Sequence, residues 1–396
     1  MGAPSTLTST LLIPATAEPS VRPPAHPPLG GRRLARPGLA LLLLLLLMGW
    51  PVAPALAASA PKGAAEPAVV VHSGPCNAST ALTMGPGLFV VADDEATPPL
   101  TLRLYRRGQS GPPLGTGTLT ASAVAPVDDG HPELDLEAST RIGPLAYWIG
   151  SHGAATADGK AGKGEDPVGE ARPNRQRLFA TTLGLRAGDD GTTITLTVEP
   201  VGRPYTTLIQ DLAADPRYAR FQLAEAARRP AKAKGGLSIE GLAATPAGAL
   251  LIGFRNPLPE GKALLVPLSN PNAVMAGEQA QFGDPVLLDL GGLGIRSMER
   301  VNGSLLIVAG AAAGRKGKDT PSALYRWSGQ FESPAVRLRS LAAVAGAPFN
   351  PEALLVDGDG LVLLSDDGSL ERDGRACQDR PAAKQGFREL RISPIP

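Results

Sequence analysis

The sequence holds few of the residues from which familiar metal and catalytic sites are built. Its 396 residues include two cysteines and four histidines, and aromatic residues make up only 4%. So few ligands give little material for a zinc site, which is usually tetrahedral and built from cysteine and histidine. A Gly-x-Ser-x-Gly elbow and a Walker phosphate loop are both absent from the sequence. The sequence therefore argues against zinc proteins, lipase-type hydrolases and P-loop nucleotide hydrolases.

An excess of one charge is missing as well. Residues 1–57 hold four of the 38 basic and one of the 37 acidic side chains, so the remainder is close to neutral. Near neutrality argues against nucleic acid or an anionic membrane surface as a partner. After residue 57, no apolar run approaches the about 20 residues that a membrane helix needs. We expect a monomer whose partner is a small ligand or another protein.

The N-terminal stretch has the pattern of an export signal. Arginines at positions 32, 33 and 36 precede the apolar run 39–48, and Ala55-Leu56-Ala57 follows. A positive flank, a short apolar region and an Ala-x-Ala site are typical of a secretory signal peptide. We predict a signal peptide over residues 1–57, cleavage near Ala57, and a periplasmic or secreted protein. A retained membrane anchor is the alternative.

One sequence pattern recurs along the chain. A key residue in a short apolar segment is followed by a turn and an apolar run that ends in a small residue. In four copies the small residue comes 13 positions after the key residue; these pairs are Ser79 and Ala92, Glu137 and Gly150, Glu240 and Gly253, and Glu352 and Ser365. A fifth copy, around Glu299, has a shorter turn and reaches Ala309. Such a fixed spacing indicates a repeated structural unit.

The repeat predicts an all-β fold. Further strand-like runs follow each copy, and units of about 50 residues with several short strands are typical of propeller blades. Their inner runs are apolar throughout, as expected for strands covered on both faces. We therefore predict a single β-propeller over residues 69–396, after a linker at 58–68, with five blades and six as the alternative. A solenoid and a pair of sandwiches are the rival architectures.

The interval between Glu137 and Glu240 is about twice as long as the others, and we assign the excess to insertions instead of a degenerate blade. Residues 153–176 are polar and rich in glycine and basic side chains, which is typical of a surface loop. A second insertion spans about 204–236. Within it, residues 215–229 predict a short helix, with Asp215 as its N-cap and Pro230 as its stop.

The two cysteines lie near opposite ends of the predicted domain. In an oxidising compartment, a lone pair such as Cys76 and Cys377 usually forms one disulfide. Closure of a propeller ring would bring them together, because the last blade meets the first. Two buried free thiols are the alternative.

Repetition also places acidic residues at equivalent positions, where a propeller directs side chains toward its central channel. These channel carboxylates are Glu137, Glu240, Glu299 and Glu352. Clustered carboxylates either bind a hard cation such as Ca²⁺ or share protons for acid–base work. The structural alternative is that each glutamate accepts hydrogen bonds from amides of the next blade.

The residues that follow the small position would form one rim of the channel. If the ring closes, the aspartates of the first and last blades become neighbours, and a divalent cation would relieve their repulsion. These candidate metal ligands are Asp93, Asp94, Asp366 and Asp367. Ordinary Asp-Gly turn chemistry is the alternative. His152, Arg255 and Arg296 would add positive or proton-transferring character to the same rim, unless they are structural.

Several motifs are similar to those of one bacterial family. They are Gly150-Ser151-His152-Gly153, Arg177-Leu178-Phe179-Ala180, Ile239-Glu240-Gly241-Leu242-Ala243, Gly253-Phe254-Arg255-Asn256-Pro257, Asp289-Leu290-Gly291-Gly292-Leu293-Gly294-Ile295-Arg296-Ser297, Leu324-Tyr325-Arg326-Trp327-Ser328-Gly329 and Ser365-Asp366-Asp367-Gly368. On these motifs, from about residue 75 to 390, the chain resembles the domain-of-unknown-function family 3616. The resemblance implies a secreted propeller-like protein and no particular chemistry. The Ile239-to-Ala243 element is also similar to one in propellers described as phytase-like esterases.

Two functions fit the sequence. The favoured one is a binding or scaffold propeller that recognises a ligand or partner at the channel rim. The alternative is a divalent-cation-dependent hydrolase of phosphoesters or other esters. Its candidate catalytic residues are Glu240, His152, Arg255 and Arg296, and Ca²⁺ or another divalent cation would be its cofactor. The sequence leaves open whether the protein is an enzyme, because it shows no complete catalytic set.

Overall fold

The computed structural model describes residues 69–395, except residues 96, 121–123, 125–127, 129, 157–167, 189–192, 313–321, 342, 345–346 and 394. The predicted signal peptide, its cleavage site and the linker lie outside the described residues. In the part of the chain that is described, no helix is long and apolar enough to cross a membrane.

Five four-stranded antiparallel sheets form the fold, and we number them as blades 1 to 5 along the chain. Their first strands are Ala78–Gly85, Leu136–Ile142, Ser238–Ala244, Gly294–Val301 and Pro351–Asp357. Their second strands are Leu88–Asp93, Leu145–Gly150, Leu250–Asn256, Ser304–Gly310 and Gly360–Ser365. Their third strands are Leu100–Arg106, Leu178–Ala187, Ala263–Leu268, Ser322–Trp327 and Gly386–Ile392. Their outer strands are Gly115–Leu119, Ile194–Tyr205, Val286–Leu288, Val336–Ser340 and Val69–Ser73.

The blades close into a ring. Each first strand contacts the first strand of the next blade, and the first strand of blade 5 contacts that of blade 1. The first strands therefore surround a central channel. This arrangement confirms the predicted β-propeller with five blades.

The N-terminal strand completes the last blade. Val69–Ser73 pairs antiparallel with Gly386–Ile392, so blade 5 takes three strands from the C-terminal end of the chain and one from its beginning. A buried contact fixes this strand, because His72 Nε2 lies 2.7 Å from Glu389 Oε2. The two ends of the domain are thereby held in one sheet.

Short helical segments lie outside the sheets. Among the described residues, the α-helices are Leu208–Ala214, Leu223–Ala226 and Pro271–Met275, and the 3₁₀ turns are Pro173–Arg175, Ala219–Phe221, Pro259–Gly261, Cys377–Asp379 and Ala382–Lys384. Two-stranded pairs join Ala155–Thr156 with Gly169–Glu170, Ala343–Val344 with Ala347–Pro348, and Glu371–Arg372 with Arg375–Ala376.

The insertion before blade 3 is helical, but it contains no continuous helix over residues 215–229. Asp215 ends the helix Leu208–Ala214, and its carboxylate accepts a hydrogen bond from the backbone N–H of Arg217 at 3.0 Å. Gln222 then adopts a left-handed conformation with φ of +51°, which separates two short turns. The predicted helical insertion is present, but it consists of short helical segments instead of one helix over residues 215–229.

The core consists of five apolar clusters, one between each pair of neighbouring blades. Between blades 1 and 2, for example, Val90 and Leu102 face Trp148, and all three are fully buried. The cluster between blades 5 and 1 is built in the same way, with Phe387 facing Phe89. The continuous apolar strands predicted from the sequence follow from this arrangement, because neighbouring blades cover both faces of each sheet.

Atoms of neighbouring segments lie close to the small residue of the repeat at Gly150 and Gly253. A Cβ added at Gly150 would lie 2.3 Å from the backbone oxygen of Arg175 and 2.7 Å from that of Leu134. A Cβ added at Gly253 would lie 2.9 Å from a methyl group of Ile295, on the next blade. The end of the second strand therefore has no room for a large side chain.

The predicted disulfide is present between Cys76 and Cys377. Their Cα atoms lie 5.9 Å apart although 301 positions separate them in the sequence. Cys76 connects the N-terminal strand to blade 1, and Cys377 belongs to the excursion between the second and third strands of blade 5. The disulfide therefore joins the two blades at which the ring closes.

Candidate functional site

A bulge occurs at the same place in the first strand of every blade. In blade 3, Ile239 pairs with Phe254 and Gly241 with Gly253. Glu240 lies between them and has no opposite residue in the strand ladder. The same irregularity occurs at Ser79, Glu137, Arg296 and Glu352. Bulges of this kind redirect a side chain. We call this end of the channel, where first strands begin and second strands end, the mouth.

The bulges correct one prediction. Glu299 does not hold the repeat position in blade 4, because it pairs with Leu306 in the regular part of the ladder. Arg296 holds that position, 13 residues before Ala309, so the spacing of the other four blades is kept. Burial raises the pKa of Glu299 to about 7. The repeat position thus carries a serine, three glutamates and one arginine.

Ion pairs connect blades 3, 4 and 5 at the mouth. Arg255 Nη1 donates to Glu240 Oε1 at 2.7 Å, and Arg296 Nε lies 3.7 Å from Glu240 Oε2. Arg296 also donates to both carboxylate oxygens of Glu352, from Nε at 2.9 Å and from Nη2. Burial opposes the charge of Glu240, but Arg255 and Arg296 outweigh it and hold the pKa of Glu240 below its ordinary value. In this half of the mouth, the two arginines and the two glutamates neutralise one another.

Blades 1 and 2 bring three carboxylates together at the other half. One oxygen each from Asp94, Asp135 and Glu137 lies within 4.8 Å of the other two, and we call these residues the acidic triad. Arg175 Nη1 lies 3.3 Å from Asp135 Oδ2, which also accepts a hydrogen bond from the Ser151 hydroxyl. Asp94 Oδ1 is buried and has no hydrogen-bond partner among the described residues.

The pKa values of the triad respond to its burial and crowding. Burial raises the pKa of Asp135 to about 6. Burial, followed by the charges of Asp366 and Asp135, raises the pKa of Asp94 well above its usual range. Burial and the charge of Glu240 do the same for Glu137. Without a cation, these carboxyl groups therefore resist ionisation together.

Of the four aspartates predicted as one metal pocket, the charges of Asp93, Asp94 and Asp366 act on one another, while Asp367 pairs elsewhere. The charge of Asp366 acts on Asp94, and Asp366 Oδ2 accepts a hydrogen bond from Asn350 at 3.2 Å. Asp93 accepts a hydrogen bond from the backbone of Glu95, and burial raises its pKa to about 6. Asp367 instead forms a buried ion pair with Arg388, with two contacts of 2.7 Å. Asp367 is therefore placed for a structural role.

The match to a known family covers most of this architecture. The family model described as "Protein of unknown function (DUF3616)" matches residues 77–352. The chain belongs to this family. The matched region contains the bulges of all five blades, the acidic triad and the ion pairs of the mouth. None of the curated proteins matches the sequence.

Among solved structures, the DUF3616 chain is similar to an exo-β-1,3-galactanase from Phanerochaete chrysosporium, with 9% identity and a TM-score of 0.40 over 82% of this chain and 63% of the other. A mutant of Trypanosoma rangeli sialidase has 12% identity and a TM-score of 0.37, over 82% of this chain and 47% of the other. An exo-1,5-α-L-arabinanase from a bovine ruminal metagenomic library has 10% identity and a TM-score of 0.38, over 81% and 92%. The chain spans less than two thirds of the galactanase and of the sialidase.

His152 follows the second strand of blade 2 in the DUF3616 propeller and is fully buried. Its Nδ1 donates to the backbone oxygen of Gly150 at 2.9 Å, because a carbonyl can only accept. Burial lowers the pKa of His152 to about 4, so the ring is neutral at physiological pH. Its Nε2 has no partner within the described ranges. The histidine thus adds no positive charge to the site.

Sequence reasoning missed the polar residues two positions before the bulges of blades 2, 3 and 5. Asp135 precedes Glu137 in this way, Ser238 precedes Glu240, and Asn350 precedes Glu352. The Ser238 hydroxyl donates to Glu240 Oε1 at 3.0 Å, and the Asn350 amide donates to Glu352 Oε1 at 3.3 Å. The recurrence of a polar residue at this offset was the signal that could have revealed them.

Proposed function

We propose that the DUF3616 propeller binds a divalent cation at its mouth and recognises its ligand there. The observation that supports this is the acidic triad, whose oxygens lie within 4.8 Å of one another while Asp94 Oδ1 has no hydrogen-bond partner in the described part of the chain. Carboxylate oxygens are the ligands of hard cations such as Ca²⁺. A buried acceptor left without a partner is rare in proteins and calls for a bound ion or water.

The balance of charge at the mouth supports the same proposal. Arg255 and Arg296 are matched by Glu240 and Glu352, whereas in the triad Asp135 alone has an ion pair with a described residue, Arg175. Two unit charges about 5 Å apart repel by about 3 kcal/mol at an effective dielectric constant of about 20. A divalent cation would turn this repulsion into attraction. Asp366, whose charge also reaches Asp94, is placed to strengthen the field.

The same contacts favour binding over hydrolysis. The alternative, a cation-dependent hydrolase of phosphoesters or esters, would use Glu240 as its proton acceptor. Glu240 is held by two arginines that lower its pKa, and a low pKa makes a carboxylate a poor base near neutral pH. His152, the other candidate base, is buried away from solvent. These groups are therefore better suited to shaping a binding site.

We also propose that the protein works in the periplasm or is secreted. A disulfide between distant parts of a chain forms and persists in oxidising compartments, and Cys76 and Cys377 form one here. This supports the export predicted from the N-terminal sequence. The oxidation state of both thiols in protein taken directly from cells tests it, because two reduced thiols would indicate a reducing compartment.

Calcium binding by the Glu137→Gln variant tests the cation site. We expect wild-type protein to bind Ca²⁺ at one site by calorimetry, and to gain about 2.7 kcal/mol of stability at 100 times the Kd. Removing one ligand charge should weaken binding by about tenfold or more, or about 1.4 kcal/mol. Glu299→Gln is the matched control, since it removes a buried carboxyl with a raised pKa outside the mouth. The proposal fails if wild type binds neither Ca²⁺, Mg²⁺ nor Mn²⁺, or if both variants bind alike.

Cation affinity should also depend on pH. Metal ligands must be deprotonated, and burial raises the pKa of Asp135 to about 6. Protons therefore compete with the cation as pH falls through this value, and affinity should drop by about tenfold between pH 8 and pH 5 for this one carboxyl. Calorimetry at pH 8, 7, 6 and 5 measures the trend. Equal affinity at all four values would show that the triad does not hold the cation.

A further inference from the structure

A basic segment runs along the mouth beside blades 2 and 3. Residues 228–234 have the sequence Arg-Arg-Pro-Ala-Lys-Ala-Lys, and we call them the basic arm. Arg228, Lys232 and Lys234 are exposed to solvent. The arm ends the long insertion that precedes blade 3, immediately before the strand that carries Glu240.

Hydrogen bonds fix the arm at the mouth. The side-chain amide of Asn256 donates to the backbone oxygens of Ala231 at 3.2 Å and Ala233 at 2.8 Å. Asn256 follows Arg255 and ends the second strand of blade 3, where it pairs with Ser238. On the other side, Pro230 pairs with Ala154, just after the second strand of blade 2. Both lysines therefore flank backbone that is anchored to the rim of the channel.

The charges of Lys232 and Lys234 are left for solvent or a ligand. Neither Lys232 nor Lys234 has an ion pair with a described residue, and Arg228 lies 3.9 Å from Glu225 with both side chains exposed. The acidic triad lies in blades 1 and 2, and its charge is not matched by the arm. The mouth therefore combines a candidate cation site, the acidic triad, with two rim lysines that have no ion pair with a described residue.

We propose that the ligand of the mouth carries an anionic oxygen group, a phosphate or a carboxylate, that binds the cation and the basic arm together. Oxygen anions complete the coordination of hard cations, and lysine ammonium groups bind the same anions as point charges. A neutral ligand can coordinate the cation through its oxygens, but it leaves the lysine charges without a counter-charge. This inference rests on the proposed cation site and adds the chemical class of the ligand.

Two titrations test the proposal separately. The first measures Ca²⁺ binding alone. The second adds an anionic probe to protein saturated with Ca²⁺, using glycerol 2-phosphate for phosphate and galacturonate for carboxylate, with glycerol and galactose as their neutral counterparts. The variant is Lys232→Gln/Lys234→Gln. Its charge-matched control is Arg337→Gln/Arg339→Gln, on the exposed outer strand of blade 4.

We expect at least one anionic probe to bind the calcium-loaded wild type and the control, while the neutral compounds do not bind. In the arm variant, probe affinity should fall by about fivefold to tenfold with unchanged Ca²⁺ affinity. Calcium binding without any binding of the probes would overturn this inference and leave the cation site standing. Probe binding that needs no calcium, or that survives loss of both lysines, would contradict the proposal that one anionic group binds the cation and the basic arm together. If calcium itself does not bind, the proposed cation site is the part that fails.

Discussion

Arg296→Met should lower the free energy of unfolding by about 3 to 5 kcal/mol, because breaking a buried ion pair leaves an uncompensated charge. Arg296 contacts Glu352 through two nitrogens and lies 3.7 Å from Glu240, and all three side chains are buried. After the substitution, Glu240 retains Arg255, while Glu352 retains only the Asn350 amide among the described contacts. Methionine keeps the unbranched apolar stem as far as the position of Nε, so the loss reports mainly the removed guanidinium group.

Denaturant titration of four proteins checks this result. The Arg296→Met/Glu352→Gln double variant should recover part of the loss, since it removes the carboxylate that the single variant strands. Arg300→Met is the control, because Arg300 lies on the same strand and its Nη2 contacts the backbone oxygen of Gly303 at 3.5 Å. Equal losses for Arg296→Met and Arg300→Met, or no recovery in the double variant, would show that the ion pairs are not what holds blades 3 to 5 together.

Removing the disulfide should have an effect of similar size. Cys76 and Cys377 close a loop across 301 positions, and the entropy of closing a loop that long corresponds to about 5 kcal/mol, less any strain. We expect Cys76→Ser/Cys377→Ser to unfold at a markedly lower denaturant concentration than wild type. Without the disulfide, the unfolded chain has a higher conformational entropy, and this lowers the free energy of unfolding.

Reduction provides the matched measurement. Wild type in a reducing agent should unfold at the midpoint of the double serine variant, and the variant itself should not respond to the reductant. A loss smaller than about 1 kcal/mol would contradict the loop-entropy argument. It would mean that the pairing of Val69–Ser73 with Gly386–Ile392 closes the ring without covalent help.

The architecture could be predicted because it is encoded locally and repeatedly. Thirteen positions after the bulge, backbone oxygens crowd Gly150 and side chains of the next blade crowd Gly253, so a fixed spacing to a small residue predicted the blades. The prediction of Glu299 was wrong, because blade 4 carries Arg296 and no glutamate at the repeat position. The 13-residue spacing that ends at Ala309 points to this arginine.

The partners of the charged residues could not be predicted, because they lie on different blades. Nothing in the sequence near Asp367 indicates that Arg388 pairs with it, or that Arg296 reaches Glu352. The acidic triad likewise combines Asp94 from the end of one strand with Asp135 from the beginning of another. Such contacts depend on how the blades pack around the ring. The sequence predicts the order of the blades, but not which side chains of different blades meet.

Closure by the N-terminal strand imposes an order on folding. His72 and Glu389 are 317 positions apart, so Val69–Ser73 finds its partner only when almost all of the propeller sequence is available. Blades 1 to 4 are each built from one contiguous stretch of chain and can form one after another. Blade 5 cannot be completed, and the ring cannot close, before the strand Gly386–Ile392 is present.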